Sequence, residues 1–163
     1  MQYRVLMVCL GNICRSPTAE GVLRAKLSMA GLADLVEVDS AGTGSWHVGE
    51  PPDRRSQLHA RRRGYELSGL RARTVVREDF ERFDLLLAMD EDNLAVLEAM
   101  CPRASAAELE LLMAYSPRPL GLVVPDPYSG DASGFDRVLD LVEPACDGLV
   151  GRLALRLLGS PRS

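Results

Sequence analysis

Apolar positions along the chain come in short blocks set between polar, glycine-bearing and proline-bearing stretches. Tyr3 to Val8 is apolar apart from Arg4 and reads as a buried strand. Pro17 to about Met29 places Ala19, Val22, Leu23 and Leu27 at three- and four-residue spacing, which predicts a helix with Gly31 as its stop. Val36 to Asp39 reads as a second strand, and residues 41–52 as a glycine- and proline-rich loop. Asp53 is placed to cap a helix running to about Arg63 and ended by Gly64. A short helical turn is expected at Asp79–Phe83 and a third buried strand at Leu85–Ala88. Asp90 then caps a helix to about Met100, and Glu108–Met113 is a fourth strand with a polar start. Residues 115–134 carry Pro117, Pro119, Pro125 and Pro127. A loop of that length in a compact domain is usually functional. Phe135–Leu158 is a long helix, and Pro144 within it predicts a kink.

Alternating strands and helices argue for an α/β fold, a parallel sheet with helices on both faces in three layers. Right-handed crossovers gather the loops that follow the strands along one sheet edge. Cys9, Ser40, Asp90 and Asp126 follow expected strands or lie in the loop beyond one, so they meet at the carboxyl edge, where such folds bind ligands.

The 163 residues suit a single domain, 1–163, with a sizeable core and no repeat or linker. With 19 Lys and Arg against 23 Asp and Glu, the net charge of −4 gives no broad basic face for nucleic acid. Arg61-Arg62-Arg63 reads as a solvated helix end. No apolar stretch reaches the 18 or so residues of a membrane span, and the apolar run near the start is too short for a signal peptide. The expected location is cytoplasmic, and the expected assembly a monomer or weak dimer. Cysteines 9, 14, 101 and 146 show neither a CxxC pair nor zinc spacing, and free thiols fit a reducing compartment. No cofactor or metal is expected.

The chemistry concentrates in Cys9-Leu10-Gly11-Asn12-Ile13-Cys14-Arg15-Ser16, between the first strand and Pro17. The bare Cys-x5-Arg pattern is weak in an arginine-rich chain; its context is not. Gly11 permits close backbone approach to a ligand, and Asn12 tolerates the left-handed region and can fasten a loop through its amide. Pro17 suits a first helical turn. Successive N–H groups from Leu10 to Arg15 and the helix dipole then face one anion. Arg15 adds a planar fork for two phosphate oxygens. A helix N-terminus beside an arginine favours a thiolate, which makes Cys9 the candidate nucleophile, with a hydrogen bond available from Ser16. The plainer alternative is a buried strand-end cysteine and a solvated arginine.

Asp126-Pro127 in the long loop reads equally, on composition alone, as a turn or as a general acid. Trp46 and Tyr128 flank the candidate loops in a chain only 5% aromatic and can wall a slot for a phenyl ring. His47 stands beside them, and its alternative is simple solvation. His59, Cys101 and Cys146 read as structural.

The stretch from Val8 to Glu20 strongly resembles the low-molecular-weight protein tyrosine phosphatases. So do Asp39-Ser40-Ala41-Gly42-Thr43 with Trp46-His47-Val48-Gly49, then Ala88-Met89-Asp90-Glu91-Asp92-Asn93-Leu94, then Val124-Pro125-Asp126-Pro127-Tyr128, in family order across nearly the whole chain. The resemblance implies a four-stranded version of the fold. It implies hydrolysis of protein phosphotyrosine through a phosphocysteine on Cys9, with Arg15 as clamp and Asp126 as acid and then base. It also implies phosphate or another oxyanion in the loop, Ile13 and Leu10 along the slot, Ser40 in support, and Cys14 as either a reversible disulfide partner of Cys9 or a packed thiol. The family's histidine after the second helix is missing: Gly69 or Leu70 stands there, so Asn12 and Ser40 are expected to steady the loop with less help. Ser129 stands where a second tyrosine is common.

Arsenate reductases on this fold need two cysteines close together downstream, and Cys101 and Cys146 are far apart. Protein arginine phosphatases carry threonine at the position of Ile13. A Walker nucleotide site fails because the only lysine is Lys26, and a metal-dependent phosphatase needs His and Asp clusters. A non-enzymatic phosphotyrosine-binding module would need neither Cys9 nor Asp126.

Overall fold

The most apolar block forms the most buried strand. In the computed structural model, which describes residues 2–159, β1 (Tyr3–Cys9) lies between β2 (Val36–Gly42) and β3 (Leu85–Ala88), and β4 (Glu108–Leu111) flanks β3. All four strands are parallel, in the order β2-β1-β3-β4. A parallel strand covered on both faces needs apolar residues at successive positions, and Val5, Leu6, Met7 and Val8 are fully buried. The expected domain also takes in Met1 and residues 160–163, which lie outside the described residues.

Strand alternation sends Val5 and Met7 to one face and Leu6 and Val8 to the other. The first face is covered by α1 (Arg15–Met29) and α5 (Ser133–Leu158) through Ala19, Val22, Leu23, Leu27, Val138, Val142 and Leu149. On the second face lie Phe80 from α3 (Asp79–Arg82), Phe83, and Leu97 from α4 (Glu91–Met100). The remaining helix, α2 (Arg54–Arg62), packs on α5, and Asp53 caps it by accepting from the Arg55 N–H.

Several boundaries differ from the sequence reading for identifiable reasons. β2 continues through Ser40 and Ala41 because these residues pair with Met7 and Val8, with Gly42 opposite Cys9. β4 ends early, where Leu112–Tyr115 tightens into a 3₁₀ turn. α5 starts two residues earlier than expected and runs on through Pro144. The arginine run is not simply solvated: Arg61 pairs with Glu66, and Arg63 holds Asp140 at 2.9 Å and Glu143 at 2.6 Å on α5. Among the described residues, no helix is long and apolar enough to cross a membrane.

The 3₁₀ turn and α5 touch backbone to backbone at Gly148. A Cβ there would sit 1.8 Å from the Tyr115 carbonyl oxygen. Alanine gains up to about 1 kcal/mol of helix propensity over glycine. Overpacking against fixed backbone costs about 1–3 kcal/mol. The clash wins, so Gly148→Ala should lower the melting temperature by roughly 2–6 °C, read by calorimetry. An unchanged or higher Tm would mean that α5 is free to shift away from the turn.

Candidate active site

The loop leaving β1 is held from three sides. Thr43 N–H donates to Cys9 O at 2.9 Å and Gly44 N–H to Leu10 O at 2.8 Å, so the end of β2 fixes one side. Asp53 N–H donates to Ile13 O at 2.8 Å from the start of α2. The third support lies within: Asn12, at φ +57°, is the described non-glycine residue in the left-handed region. Gly11 does not use a positive φ. Its bare Cα admits the His47 ring, which a Cβ would meet at 3.1 Å.

The Asn12 amide is fully used. Its Oδ1 accepts from Arg73 N–H at 3.0 Å, and its Nδ2 donates to Ser16 Oγ at 2.8 Å and Ser40 Oγ at 3.0 Å. Because the Arg73 backbone N–H can only donate, this arrangement fixes which end of the amide faces which partner. Ser40 in turn donates to Glu20 Oε1 at 2.6 Å. Burial pushes the Glu20 carboxyl up, against the opposing pull of the Ser40 hydrogen bond and Arg24. In place of the family histidine, Arg73 and Glu20 brace Asn12 and Ser40. Arg73 is anchored on Asp39 and Asp79, each at 3.0 Å.

Ser16 already accepts from Asn12, so its own proton is available to Cys9 Sγ, 3.0 Å away. Asn12 N–H donates to the same sulfur at 3.3 Å. Two donors thus converge on the Cys9 sulfur. Among the described residues, no acceptor is bonded to the N–H groups of Leu10, Gly11, Ile13 or Cys14.

Arg15 is buried, with its guanidinium set from two sides. Nη1 donates to Asp90 Oδ2 at 2.6 Å and to Val124 O at 3.1 Å, while Nη2 lies 3.8 Å from Asp126 Oδ2. Asp90 does two jobs: Oδ1 caps α4 through Asn93 N–H at 2.8 Å, and Oδ2 orients Arg15. Val124 N–H donates to Met89 O at 2.7 Å, so the loop carrying Asp126 leaves the sheet edge at a fixed point two residues before it.

A cleft of about 230 Å³ opens over the sulfur. Cys9, Leu10, Gly11, Ile13 and Cys14 of the loop line it together with Trp46, His47, Asp126 and Tyr128. A larger cavity of about 340 Å³, between β4 and α5, holds none of these residues. Trp46 is 71% exposed, yet its ring lies directly over Gly44, where a Cβ would fall 1.8 Å from the ring. His47 is not merely solvated: its Nδ1 bonds Glu50 at 2.6 Å and its ring stands 5.9 Å from that of Tyr128. Asn12, Arg15, Ser16 and Ser40 are buried.

Cys14 and Cys9 are both free thiols. Burial pushes the Cys14 thiol up to about 12 despite its bond to Ser56. Cys14 is therefore protonated at neutral pH and a poor nucleophile. Iodoacetate near pH 7 should modify Cys9 and spare Cys14, with inorganic phosphate slowing the reaction. Peptide mapping that finds both labelled at similar rates would contradict this assignment.

Of the sequence candidates, Cys9, Arg15 and Asp126 converge, the rim residues border the cleft, and Asn12, Ser16 and Ser40 form the support. Glu20, Arg73 and Arg55 support the site without being assigned to it in the sequence reading, which places Asp90 at the carboxyl edge and as a helix cap but not on Arg15. Asp90 has a signal in its place after the third strand; Glu20 lies inside the first motif with no role given. Arg73 and Arg55 have no local signal.

Residues 4–157 match the family model described as low molecular weight phosphotyrosine protein phosphatase. The chain is 45% identical over 162 residues to a low molecular weight protein-tyrosine-phosphatase of Streptomyces coelicolor, covering 98% of both chains. It is similar to the crystal structure of a protein tyrosine phosphatase from Entamoeba histolytica, with TM-score 0.90 and 37% identity over 98% of this chain and 100% of that one. It is also similar to a Drosophila arginine phosphatase, with TM-score 0.86 and 32% identity over 94% and 98% of the two chains.

Proposed function

Because the chain belongs to the low molecular weight phosphotyrosine protein phosphatase family, we propose that it hydrolyses protein phosphotyrosine through a phosphocysteine on Cys9. The observation that carries the reading is the convergence of three groups from two distant segments, the Cys9–Arg15 loop and the Asp126 loop. Cys9 lines the cleft with two hydrogen-bond donors on its sulfur, Arg15 is pinned by Asp90 and Val124, and Asp126 lines the same cleft, 3.8 Å from Arg15.

In the first step the sulfur attacks phosphorus: the P–S bond forms and the bond to the tyrosine oxygen breaks. Asp126 gives that oxygen a proton, so tyrosine leaves neutral. Arg15 and the N–H groups from Leu10 to Arg15 hold the phosphoryl oxygens, whose charge spreads in a loose transition state. In the second step Asp126 takes a proton from water, whose oxygen attacks phosphorus. The P–S bond breaks, inorganic phosphate leaves and Cys9 returns to its starting state.

A phosphoarginine substrate is the second reading, supported by the likeness to the Drosophila arginine phosphatase. The apolar Ile13 in the cleft and the aromatic rim of Trp46 and Tyr128 favour a phenyl ring instead. The arsenate reading finds little support. Cys146 is buried between α1 and α5, whereas Cys101 packs on the opposite sheet face.

The test is phosphate release from matched phosphotyrosine and phosphoarginine peptides, with a metal chelator present and Cys9→Ser as control. Turnover of phosphotyrosine alone, lost in the variant, supports the reading. Preference for phosphoarginine would replace it with the second, and turnover of neither would sink both.

A further inference from the structure

Asp126 sits on a loop, and its exposed side chain needs a fixed frame to meet a leaving oxygen. One side chain from α2 provides the frame. Arg55 Nε and Nη2 grip Asp53 Oδ1 and Oδ2 at 3.1 and 3.0 Å, and Nη2 also donates to Tyr128 O at 2.9 Å. The guanidinium carbon lies 4.6 Å from the ring centre of Phe135, at the start of α5, and 5.7 Å from that of Tyr128. Both ends of this bridge reach reacting groups. Asp53 N–H holds Ile13 O of the loop that carries Cys9. Tyr128 N–H donates to Asp126 Oδ1 at 3.1 Å, and Asp126 Oδ2 is the oxygen on the Arg15 side.

We propose that Arg55 is the positioning residue for the acid, coupling the phosphate loop to the Asp126 loop so that Oδ2 faces the scissile oxygen. The inference rests on Asp126 acting as the acid. Partly exposed ion pairs contribute little to stability, so the bridge matters for geometry more than for the fold. A planar fork is suited to such a bridge, because it binds a carboxylate with two N–H groups, a carbonyl with one of them, and stacks on an aromatic face. Lysine supplies the charge without the fork.

The experiment measures kcat/KM over a series of aryl phosphates with rising leaving-group pKa, for the unaltered protein, Arg55→Met, Arg55→Lys and Asp126→Ala. A displaced acid matters only where the leaving oxygen needs a proton. Arg55→Met should lose roughly 10-fold or more on poor leaving groups and about 2-fold or less on a nitrophenyl ester. Arg55→Lys should fall between, which keeps the comparison open if methionine lowers Tm. In an Asp126→Ala background, Arg55→Met should add no leaving-group dependence. A loss uniform across the series, or no loss, overturns the proposal for Arg55 while leaving Asp126 in place. A flat series for Asp126→Ala itself overturns the acid assignment, and the role of Arg55 with it.

Discussion

Cys9→Ser removes phosphotyrosine turnover, with a loss on the order of 10⁴-fold or more, while leaving the loop intact. Serine fits the space, and its oxygen can still meet the Ser16 hydroxyl and the Asn12 N–H that converge on sulfur. What changes is the chemistry. A hydroxyl stays protonated where a thiol readily gives a nucleophilic anion, and sulfur departs from phosphorus far more easily than an alkoxide. The Asn12 amide, Arg15 and their partners do not involve Cys9 carbon or sulfur beyond those two contacts, so binding should survive. Calorimetry should give a phosphotyrosine-peptide affinity within about tenfold of the unaltered protein. Turnover near the original rate would rule out a covalent sulfur intermediate, whatever the affinity.

The second large effect is at Asp126. Replacement by alanine should slow turnover by roughly 10² to 10⁴, because one carboxyl must donate a proton in one half-reaction and accept one in the other. The defect should deepen as the leaving phenol becomes more basic. Dephosphorylation should slow as well, so acid-quenched samples should show phosphoenzyme persisting longer. Arg15 loses only a neighbour at 3.8 Å and keeps Asp90 and Val124, so the clamp remains set. A rate within twofold of normal would move the acid elsewhere, with His47 in the same cleft as the first alternative to test.

The catalytic loop is legible in the sequence because its elements are local. A buried strand, a Cys-to-Arg loop with an asparagine able to adopt positive φ, and a helix start with proline are adjacent along the chain, and their boundaries read nearly as the structure has them. The sheet is legible for a related reason: residues buried on both faces leave no polar alternation to mislead. The far end of β2 is not, because Ser40-Ala41-Gly42 owe their strand conformation to pairing with Met7-Val8-Cys9 and not to their own preferences. The supporting charges are hidden for the same physical reason. Glu20, Arg73 and Arg55 are ordinary surface residue types, and only the fold reveals that Glu20 is buried under the loop or that Arg55 spans two loops. Asp90 reads as a cap, which it is; its second oxygen is taken by a residue 75 positions away.

The strand at the centre of the sheet is also the first of the four to leave the ribosome. β1 emerges with the Cys9–Arg15 loop, but β3 follows only at Leu85–Ala88, and the face bearing Val5 and Met7, partly covered by α1, is not closed until α5 arrives at Ser133–Leu158. In that interval the nascent chain carries an apolar strip only partly covered by α1 and β2, the kind of surface that chaperones bind and that aggregates when they do not. Cys9 is made early and its surroundings are completed late: Arg15 acquires Val124 and Asp126 only after more than a hundred further residues have been added. An incomplete chain thereby lacks the Val124 and Asp126 neighbours that set the Arg15 guanidinium.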